Sequence, residues 1–310
     1  MMKTLVTGGY GFLGDAVSLE LAKRDHLVYR FRHAECDLIN FADTVDMVAD
    51  VQPEAVIHLA ANVGGIEKNV EHPGTLFYEN MRMGLNLIEA IRRYNTTTNV
   101  VIVGTACSYP DSAPIPTPET ALWTGGRPAK DTRAYAVAKL ALFEMAAAYQ
   151  REWPGFRFQC VIPSNLYGPY DNFHSKNGHV IPALITRFAA AKADGGIVKV
   201  HGDGKATRDF LYVDDAARGI VDAAEHPKSW TPVNLGSGRE ISIGYVAELL
   251  GKAFDIEYEF TGTGPVGTSR RLLDISLALE SWGWEPEVKF EDGLAYTLRK
   301  YRNLGEGLNG

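Results

Sequence analysis

The feature that most constrains this chain is a glycine-rich turn near its first residue, in the segment KTLVTGGYGFLG. A short apolar strand, Leu5 to Thr7, runs into the turn, and apolar residues at helical spacing follow it from Leu13 to Lys23. Strand, glycine turn and helix in this order are typical of a dinucleotide-binding loop. Glycine lets the backbone turn sharply and approach a pyrophosphate, which binds the free N–H groups at the start of the helix. The spacing is GxxGxxG rather than GxGxxG, so a purely structural tight turn is the alternative interpretation.

Composition excludes several classes of protein. A length of 310 residues suits one large domain or two closely joined domains. The net charge of −7 argues against general nucleic-acid binding, and no apolar run approaches the length of a membrane span. The first residues form a strand, so we expect no signal peptide. Cys36, Cys107 and Cys160 give neither a metal-binding spacing nor an even disulfide set, so we expect no metal site and a reducing, cytoplasmic location.

Strands and helices are predicted to alternate through the first two thirds of the chain. Further strands are predicted at Leu27–Phe31, Ala55–Leu59, Asn99–Val103 and Phe156–Ile162. Helices are predicted at Phe41–Val51, Pro73–Tyr94 and Thr132–Trp153, the last with Thr132 as its cap. This alternation predicts an α/β fold with a Rossmann-like, doubly wound parallel sheet, whose sites lie beyond the carboxyl ends of the strands.

The pattern changes near Pro163. An irregular loop is predicted over Asn165–Asn177 and a helix over His179–Lys192, followed by short mixed elements. We expect a smaller α/β substrate-binding domain here. The predicted division assigns residues 1–165 and about 206–236 to the NADP-binding Rossmann domain, and about 166–205 and 237–310 to the substrate-binding domain.

The end of the second predicted strand indicates the cofactor. Sites for NAD usually carry an acid there, but this chain carries Arg30 and Arg32. Two cations suit a 2′-phosphate, which predicts NADP(H) rather than NAD; two solvated arginines are the alternative. Asp37 could meet the adenine edge, and the small residues Ala60 and Ala61 could let adenosine lie close.

A tyrosine and a lysine lie four residues apart on one predicted helix face. We expect the ammonium of Lys139 to favour the phenolate of Tyr135 and lower its pKa. Tyr135 could then protonate an alkoxide, or act as a base in the reverse direction. Thr105 adds a hydroxyl at the end of the fourth strand. A surface Tyr–Lys pair is the alternative.

These motifs together resemble a known family. The segments TGGYGFLG, HLAA, VGTACSYP and YAVAK resemble the extended short-chain dehydrogenase/reductase family. Within it, HLAANVGGI, PSNLYGPYDNF, GHVIPAL, RDFLYVDDAA and RRLLD are similar to the GDP-L-fucose synthases. The resemblance implies a GDP-4-keto-6-deoxymannose substrate, NADPH, and a homodimer packed through the two long helices.

The resemblance also implies roles for individual residues. Catalytic roles fall on Thr105, Cys107, Tyr135, Lys139 and His179, with Cys107 and His179 as epimerisation base and acid. Cofactor contacts are expected from Gly8, Gly9, Tyr10, Gly11, Phe12, Leu13, Gly14, Arg32, Asp37, Ala60, Val103, Gly104, Lys139, Pro163, Asn165, Leu166 and His179. Substrate contacts are expected from Asn165, Arg187, His201, Arg208 and Arg271. A C4 ketone acidifies the hydrogens at C3 and C5, so one base and one acid could invert both centres.

Several residues depart from the pattern of the family. Thr105 replaces a serine, Arg271 a lysine, Tyr10 an arginine of the glycine loop, His201 a tryptophan of the substrate pocket, and Val266 an aspartate near the substrate. The last two leave open a related GDP-sugar, such as a GDP-heptose derivative. A non-catalytic nucleotide-sensing protein is a further alternative. For Cys107 a small buried hydrophobe, and for His179 a helix-start histidine, are the plain structural alternatives.

Overall fold

Eleven strands form three sheets in this protein, which we describe from a computed structural model over residues 1–173, 179–264 and 268–306. The strands are β1 (Lys3–Thr7), β2 (Leu27–Arg30), β3 (Ala55–His58), β4 (Asn99–Val103), β5 (Arg157–Pro163), β6 (Asn165–Tyr167), β7 (Val198–Val200), β8 (Thr207–Tyr212), β9 (Val233–Leu235), β10 (Glu240–Ser242) and β11 (Tyr258–Phe260). The helices are α1 (Phe12–Lys23), α2 (Phe41–Val51), α3 (Ile66–Glu71), α4 (Pro73–Tyr94), α5 (Arg133–Glu152), α6 (Val180–Asp194), α7 (Val213–Glu225), α8 (Ile243–Phe254), α9 (Ser276–Trp282) and α10 (Phe290–Glu306).

The largest sheet has six strands in the order β2-β1-β3-β4-β5-β9. Every neighbouring pair in it is parallel, which confirms the predicted doubly wound sheet. Because parallel strands end at one edge, the turns that follow β1, β3, β4 and β5 meet there. The structure therefore gathers the glycine turn and the residues after the next three strands at one edge.

Helices cover both faces of this sheet. On one face, α2, α4 and α5 bury Leu87, Ile91, Leu142 and Phe143 in one apolar cluster. On the other face, α1 and α7 form a second cluster. On α4, a Cβ at Gly84 would collide with the side chain of Leu142, so this glycine allows α4 and α5 to pack closely. In the described ranges, no helix combines the length and the apolar character needed to cross a bilayer.

Two smaller sheets complete the fold. One has the order β10-β8-β6 and the other pairs β11 with β7. A third apolar cluster, which includes Tyr167, Phe188 and Phe210, packs among these strands and the helices α6, α8 and α10. The loop predicted from Asn165 was therefore wrong at its start. Residues 165–167 form β6 because they pair with β8, some forty residues later, and Tyr167 is buried; positions 174–177 lie outside the described residues.

The local predictions were most successful where periodicity was strong. The bounds of α2, α4 and β4 agree with the predicted ones, and α5 agrees to within one residue at each end. Thr132 precedes α5 as predicted, but its hydroxyl makes no cap hydrogen bond and lies buried without a partner. The predicted side-chain cap of that helix was wrong.

Candidate active site

The glycine turn has the shape that a pyrophosphate requires. Gly8 has a positive φ of 69°, and a Cβ there would lie 2.7 Å from the backbone nitrogen of Ala60. A Cβ on Gly14 would collide with the carbonyl oxygen of Gly8. Gly11 precedes α1 with no side-chain cap, so the first N–H groups of that helix remain open to an anion. These residues fit the phosphates of a dinucleotide.

A cavity of about 280 Å³ opens beside the glycine turn. Asp37, Ala60 and Ala61, for which adenosine contacts are predicted, line it together with Phe31 and further residues without a predicted role. Those further residues include Cys36, Leu38, Ile39, Met47, Asn62, Glu79 and Met83. Its mixture of apolar and polar walls suits the adenosine half of the cofactor.

The two arginines after the glycine turn are not equivalent. Arg30 donates to Asp15 Oδ1 at 2.6 Å and to the carbonyl oxygen of Gly9 at 2.9 Å, so its charge already has a partner. Arg32 is exposed and follows β2 directly after Phe31. The predicted pair of cations for a 2′-phosphate therefore reduces to Arg32.

Thr105 caps a single turn of 3-10 helix, Ala106–Ser108, which carries Cys107 just after β4. The hydroxyl oxygen of Thr105 accepts the backbone N–H of Cys107 at 3.2 Å. Ser108 Oγ donates to the carbonyl oxygen of Ala136 on α5 at 3.4 Å. These contacts fix the threonine hydroxyl and the half-buried cysteine next to the helix that carries Tyr135 and Lys139.

The electrostatics of Tyr135 differ from the prediction. Burial raises the pKa of Tyr135, and the nearby Cys107 raises it further. Lys139 is 2 % exposed, and burial lowers the pKa of its ammonium from 10.5 to about 8. The expected lowering of the Tyr135 pKa by Lys139 was wrong for the protein alone, because desolvation dominates. Tyr135 is a neutral phenol at neutral pH, the form that a proton donor requires.

His58 is a site residue to which the sequence analysis gave no role. It ends β3, is 1 % exposed, and its Nδ1 lies 2.8 Å from Thr7 Oγ1, while Nε2 has no partner. Burial lowers the pKa of His58 to about 3, and the charge of Lys139 contributes. His58 is therefore neutral beside the lysine. Its position in the HLAA motif was the signal that could have identified it.

Arg271 contacts the turn Ala106–Ser108, which carries Cys107, and Arg208 interacts electrostatically with Arg271 and Cys107. Arg271 Nη1 donates to the carbonyl oxygen of Ala106 at 2.7 Å, and its Nη2 donates to Thr268 Oγ1 at 3.1 Å. Burial and the charge of Arg271 lower the pKa of Arg208, while Cys107 acts in the opposite direction. Arg208 therefore interacts electrostatically with both Arg271 and Cys107, and a pair of guanidinium groups suits a diphosphate.

A narrow crevice of about 30 Å³ lies between the segment after β4 and residues 268–273. Asn165 and Arg271 line it, and Asn165 Nδ2 donates to the carbonyl oxygen of Asp209 at 3.2 Å. Such a volume holds about two water molecules. Most of a sugar nucleotide would therefore lie outside this crevice.

His179 precedes α6 and contacts a buried carboxylate. Its Nδ1 lies 3.8 Å from Asp171 Oδ2, an oxygen that has no hydrogen-bond partner. The side chain of Asp171 is 4 % exposed, and that of His179 is 57 % exposed. Asp171 raises the pKa of His179, against the opposing effect of burial. Tyr170, which precedes Asp171, has a positive φ of 68° and is exposed.

The remaining predicted residues are distributed along the same edge and on the smaller sheets. Val103 ends β4, Gly104 donates its N–H to Val161, Pro163 ends β5, and Leu166 lies within β6. Arg187 is half-buried on α6, and His201 is exposed after β7, against Gly264. Val266 lies outside the described residues.

A nicotinamide-dependent oxidoreductase of the short-chain dehydrogenase/reductase class is the kind of enzyme that this sheet and its edge define. The model of the NAD dependent epimerase/dehydratase family matches residues 4–243, and the chain belongs to that family.

Named relatives agree with the resemblance inferred from the motifs. A probable GDP-L-fucose synthase 1 of Oryza sativa subsp. japonica is 37% identical over 305 residues, which cover 96% of this chain and 92% of the relative. A crystal structure of a GDP-L-fucose synthetase from Naegleria fowleri bound to NADP superimposes with a TM-score of 0.89 at 27% identity, covering 98% of this chain and 94% of the other. A crystal structure of a GDP-6-OMe-4-keto-L-xylo-heptose reductase from Campylobacter jejuni superimposes with a TM-score of 0.88 at 25% identity, covering 97% of each chain.

Proposed function

We propose that this protein is an NADP(H)-dependent enzyme that inverts C3 and C5 of GDP-4-keto-6-deoxymannose and reduces C4, to give GDP-L-fucose. The observation that carries the proposal is the group formed by Thr105, Cys107 and Tyr135. Arg271 donates to the turn that holds Cys107, and Arg208 interacts electrostatically with Arg271 and Cys107. Together these side chains combine a thiol, a phenol and a diphosphate-binding charge at one edge of the sheet.

The reduction requires a proton donor at the C4 oxygen. NADPH, when bound, supplies the hydride for C4. A phenol is neutral at pH 7, and burial raises the pKa of Tyr135 further. Tyr135 therefore carries the proton that the oxygen takes as the alkoxide forms. The buried ammonium of Lys139 then stabilises the resulting phenolate, and the hydroxyl of Thr105 can donate a hydrogen bond to the same C4 oxygen.

The epimerisation requires a base and an acid. Cys107, as the thiolate, takes the proton from C3 or C5, and the electrons move to the C4 oxygen to form an enolate. His179 returns a proton to the opposite face of the carbon, and the electrons return to the ring carbon. Asp171 favours the protonated form of His179, which is the form that a donor needs.

Turnover of enzymatically made GDP-4-keto-6-deoxymannose tests the proposal. We expect NADPH consumption and a product with inverted C3 and C5, with solvent deuterium at both carbons. Cys107→Ser should incorporate little deuterium and slowly reduce the substrate to a sugar with the original C3 and C5 configuration, because a hydroxyl has a far higher pKa than a thiol. Its matched control is Cys160→Ser, at a fully buried cysteine of β5 away from the turn. Deuterium incorporation like the wild type in Cys107→Ser would remove Cys107 from the mechanism.

A reductase or epimerase of a related GDP-sugar is the second candidate. His201, in place of the usual tryptophan, and the likeness to the heptose reductase favour it. A panel of 4-keto GDP-sugars separates the candidates: a GDP-4-keto-heptose consumed at least tenfold faster than the deoxymannose derivative would favour the second.

We further propose a homodimer, and within each chain a cofactor-binding and a substrate-binding domain. Exposed apolar side chains on α4 and α5, namely Phe77, Tyr78 and Val137, support a dimer contact there. Leu142 and Phe143 do not contribute to it, because the subunit's own core buries them fully. A monomer in sedimentation at micromolar concentration would contradict the dimer. The sugar would bind between two domains. The Rossmann domain comprises residues 1–165 and about 206–236, and the substrate-binding domain comprises residues of about 166–205 and 237–310. We place the enzyme in the cytoplasm.

A further inference from the structure

The aromatic ring of Tyr10 is flanked by two arginine side chains. The guanidinium carbons of Arg30 and Arg32 lie 4.3 and 4.2 Å from the centroid of the ring. Both distances are well within the range in which a cation is attracted to an aromatic face. Tyr10 lies in the glycine turn and is 42% exposed, so this attraction forms at the surface of the cofactor site.

Only one of the two arginines has its charge available. Arg30 donates hydrogen bonds to Asp15 and to the carbonyl oxygen of Gly9. Its side chain packs directly over Gly9, so that a Cβ on Gly9 would lie 2.7 Å from Arg30 Cδ. Arg32, in contrast, has no carboxylate within 4.0 Å of its guanidinium among the residues that the structure describes. Within the described part of the chain, its guanidinium packs against the Tyr10 ring.

The backbone of Arg32 is already fixed by three hydrogen bonds. Its N–H donates to Glu35 Oε2 at 2.6 Å, and its carbonyl oxygen accepts the N–H groups of Glu35 and Cys36 at 2.9 and 3.1 Å. The flexible side chain is then the part that still needs orientation. The ring of Tyr10 supplies it, and so holds the cation at the rim of the cavity that Phe31 and His33, on either side of Arg32, help to line.

We propose that Tyr10 is a positioning residue for the 2′-phosphate of NADP(H), because its ring holds the unpaired guanidinium of Arg32 ready for a phosphate ester on the adenosine ribose. The proposal rests on the cofactor preference proposed above. In this role Tyr10 acts through Arg32, so the effect of its ring is expected on ligands that carry this phosphate. The attraction of an exposed cation to an aromatic ring corresponds to about a two- to fivefold change in affinity.

Calorimetric titration of the substrate-free protein with NADP⁺ and with NAD⁺ tests the proposal without turnover. Tyr10→Leu removes the ring, and Tyr10→Phe keeps it as the matched control. We expect Tyr10→Leu to weaken NADP⁺ binding about two- to fivefold and to leave NAD⁺ binding unchanged. Tyr10→Phe should match the wild type with both ligands. Arg32→Ala should weaken NADP⁺ binding by about tenfold or more and leave NAD⁺ binding unchanged.

The results distinguish the proposal from the cofactor preference on which it rests. If wild-type protein prefers NADP⁺ and Tyr10→Leu keeps the full preference, Tyr10 has no positioning role. Equal weakening of both ligands by Tyr10→Leu would also overturn the proposal, because the residue would then shape the loop as a whole. Equal affinity of the wild type for the two ligands would instead refute the cofactor preference, and the proposal with it. The same titrations with adenosine 2′,5′-bisphosphate and AMP compare binding with and without the 2′-phosphate in ligands that contain no nicotinamide.

Discussion

The buried ammonium of Lys139 is expected to reduce the stability of the protein in the absence of cofactor. Lys139 is 2 % exposed, and burial lowers its pKa from 10.5 to about 8. At pH 7 the group is still protonated in both the folded and the unfolded protein, so the folded state carries a poorly solvated charge. Lys139→Met should therefore abolish reduction of the substrate and at the same time make the cofactor-free protein more stable.

The size of the effect follows from the pKa change. At about 1.36 kcal/mol per pKa unit, a fall from 10.5 to about 8 corresponds to roughly 3 kcal/mol at pH 7. The sign is fixed by proton binding: between pH 8 and 10.5 the unfolded chain holds the proton and the folded protein does not. The wild type therefore gains stability as pH rises through this interval, and Lys139→Met does not. The extra free energy of unfolding of Lys139→Met over the wild type should fall to about half near pH 9.5.

Urea denaturation of both proteins without cofactor, at pH 7 and at pH 9.5, measures these differences. Lys23→Met is the control, because its side chain is 68% exposed and should change the free energy of unfolding by less than about 0.5 kcal/mol. A Lys139→Met protein that is less stable than the wild type at pH 7, or an advantage independent of pH, would refute the reasoning.

Three further changes test other parts of the site. Tyr135→Phe removes a proton donor with almost no change of volume, so NADPH oxidation should fall about a hundredfold or more while the protein stays folded; full activity would contradict its assignment. Asp171→Asn should lower the pKa of His179 in an NMR titration, because Asp171 raises that pKa in the wild type. The wild type should then lose stability relative to this variant as pH rises through the folded pKa of His179. The same midpoint for the His179 NMR titration in both proteins would exclude the interaction. Gly14→Ala places a Cβ against the Gly8 carbonyl oxygen, so binding of NADP⁺ measured by calorimetry should be lost; wild-type affinity would show that the turn can yield.

Local signals in the sequence were enough for the first five strands of the main sheet and for the edge at which the candidate site lies. A proline at the first position of α4 and regular apolar spacing set the bounds of Pro73–Tyr94, because helix ends and amphipathic faces are encoded within a few residues. The order of strands and helices, with the glycine turn first, was sufficient for the parallel sheet and for the edge that carries the site. The same pattern placed Thr105 and Tyr135 on neighbouring elements.

Contacts between distant segments decided what remained. Residues 165–167 form a strand only because β8 supplies partners, such as Phe210 for Asn165. The Asp15 carboxylate, contributed by α1, neutralises Arg30 and leaves Arg32 available. Desolvation reversed the expected direction of the Tyr135 pKa, since burial is a property of the whole fold and not of a four-residue spacing. The sequence by itself thus determined which chemical groups reach this edge of the sheet, and the tertiary structure decided their charge and their partners, because both depend on atoms far apart along the chain.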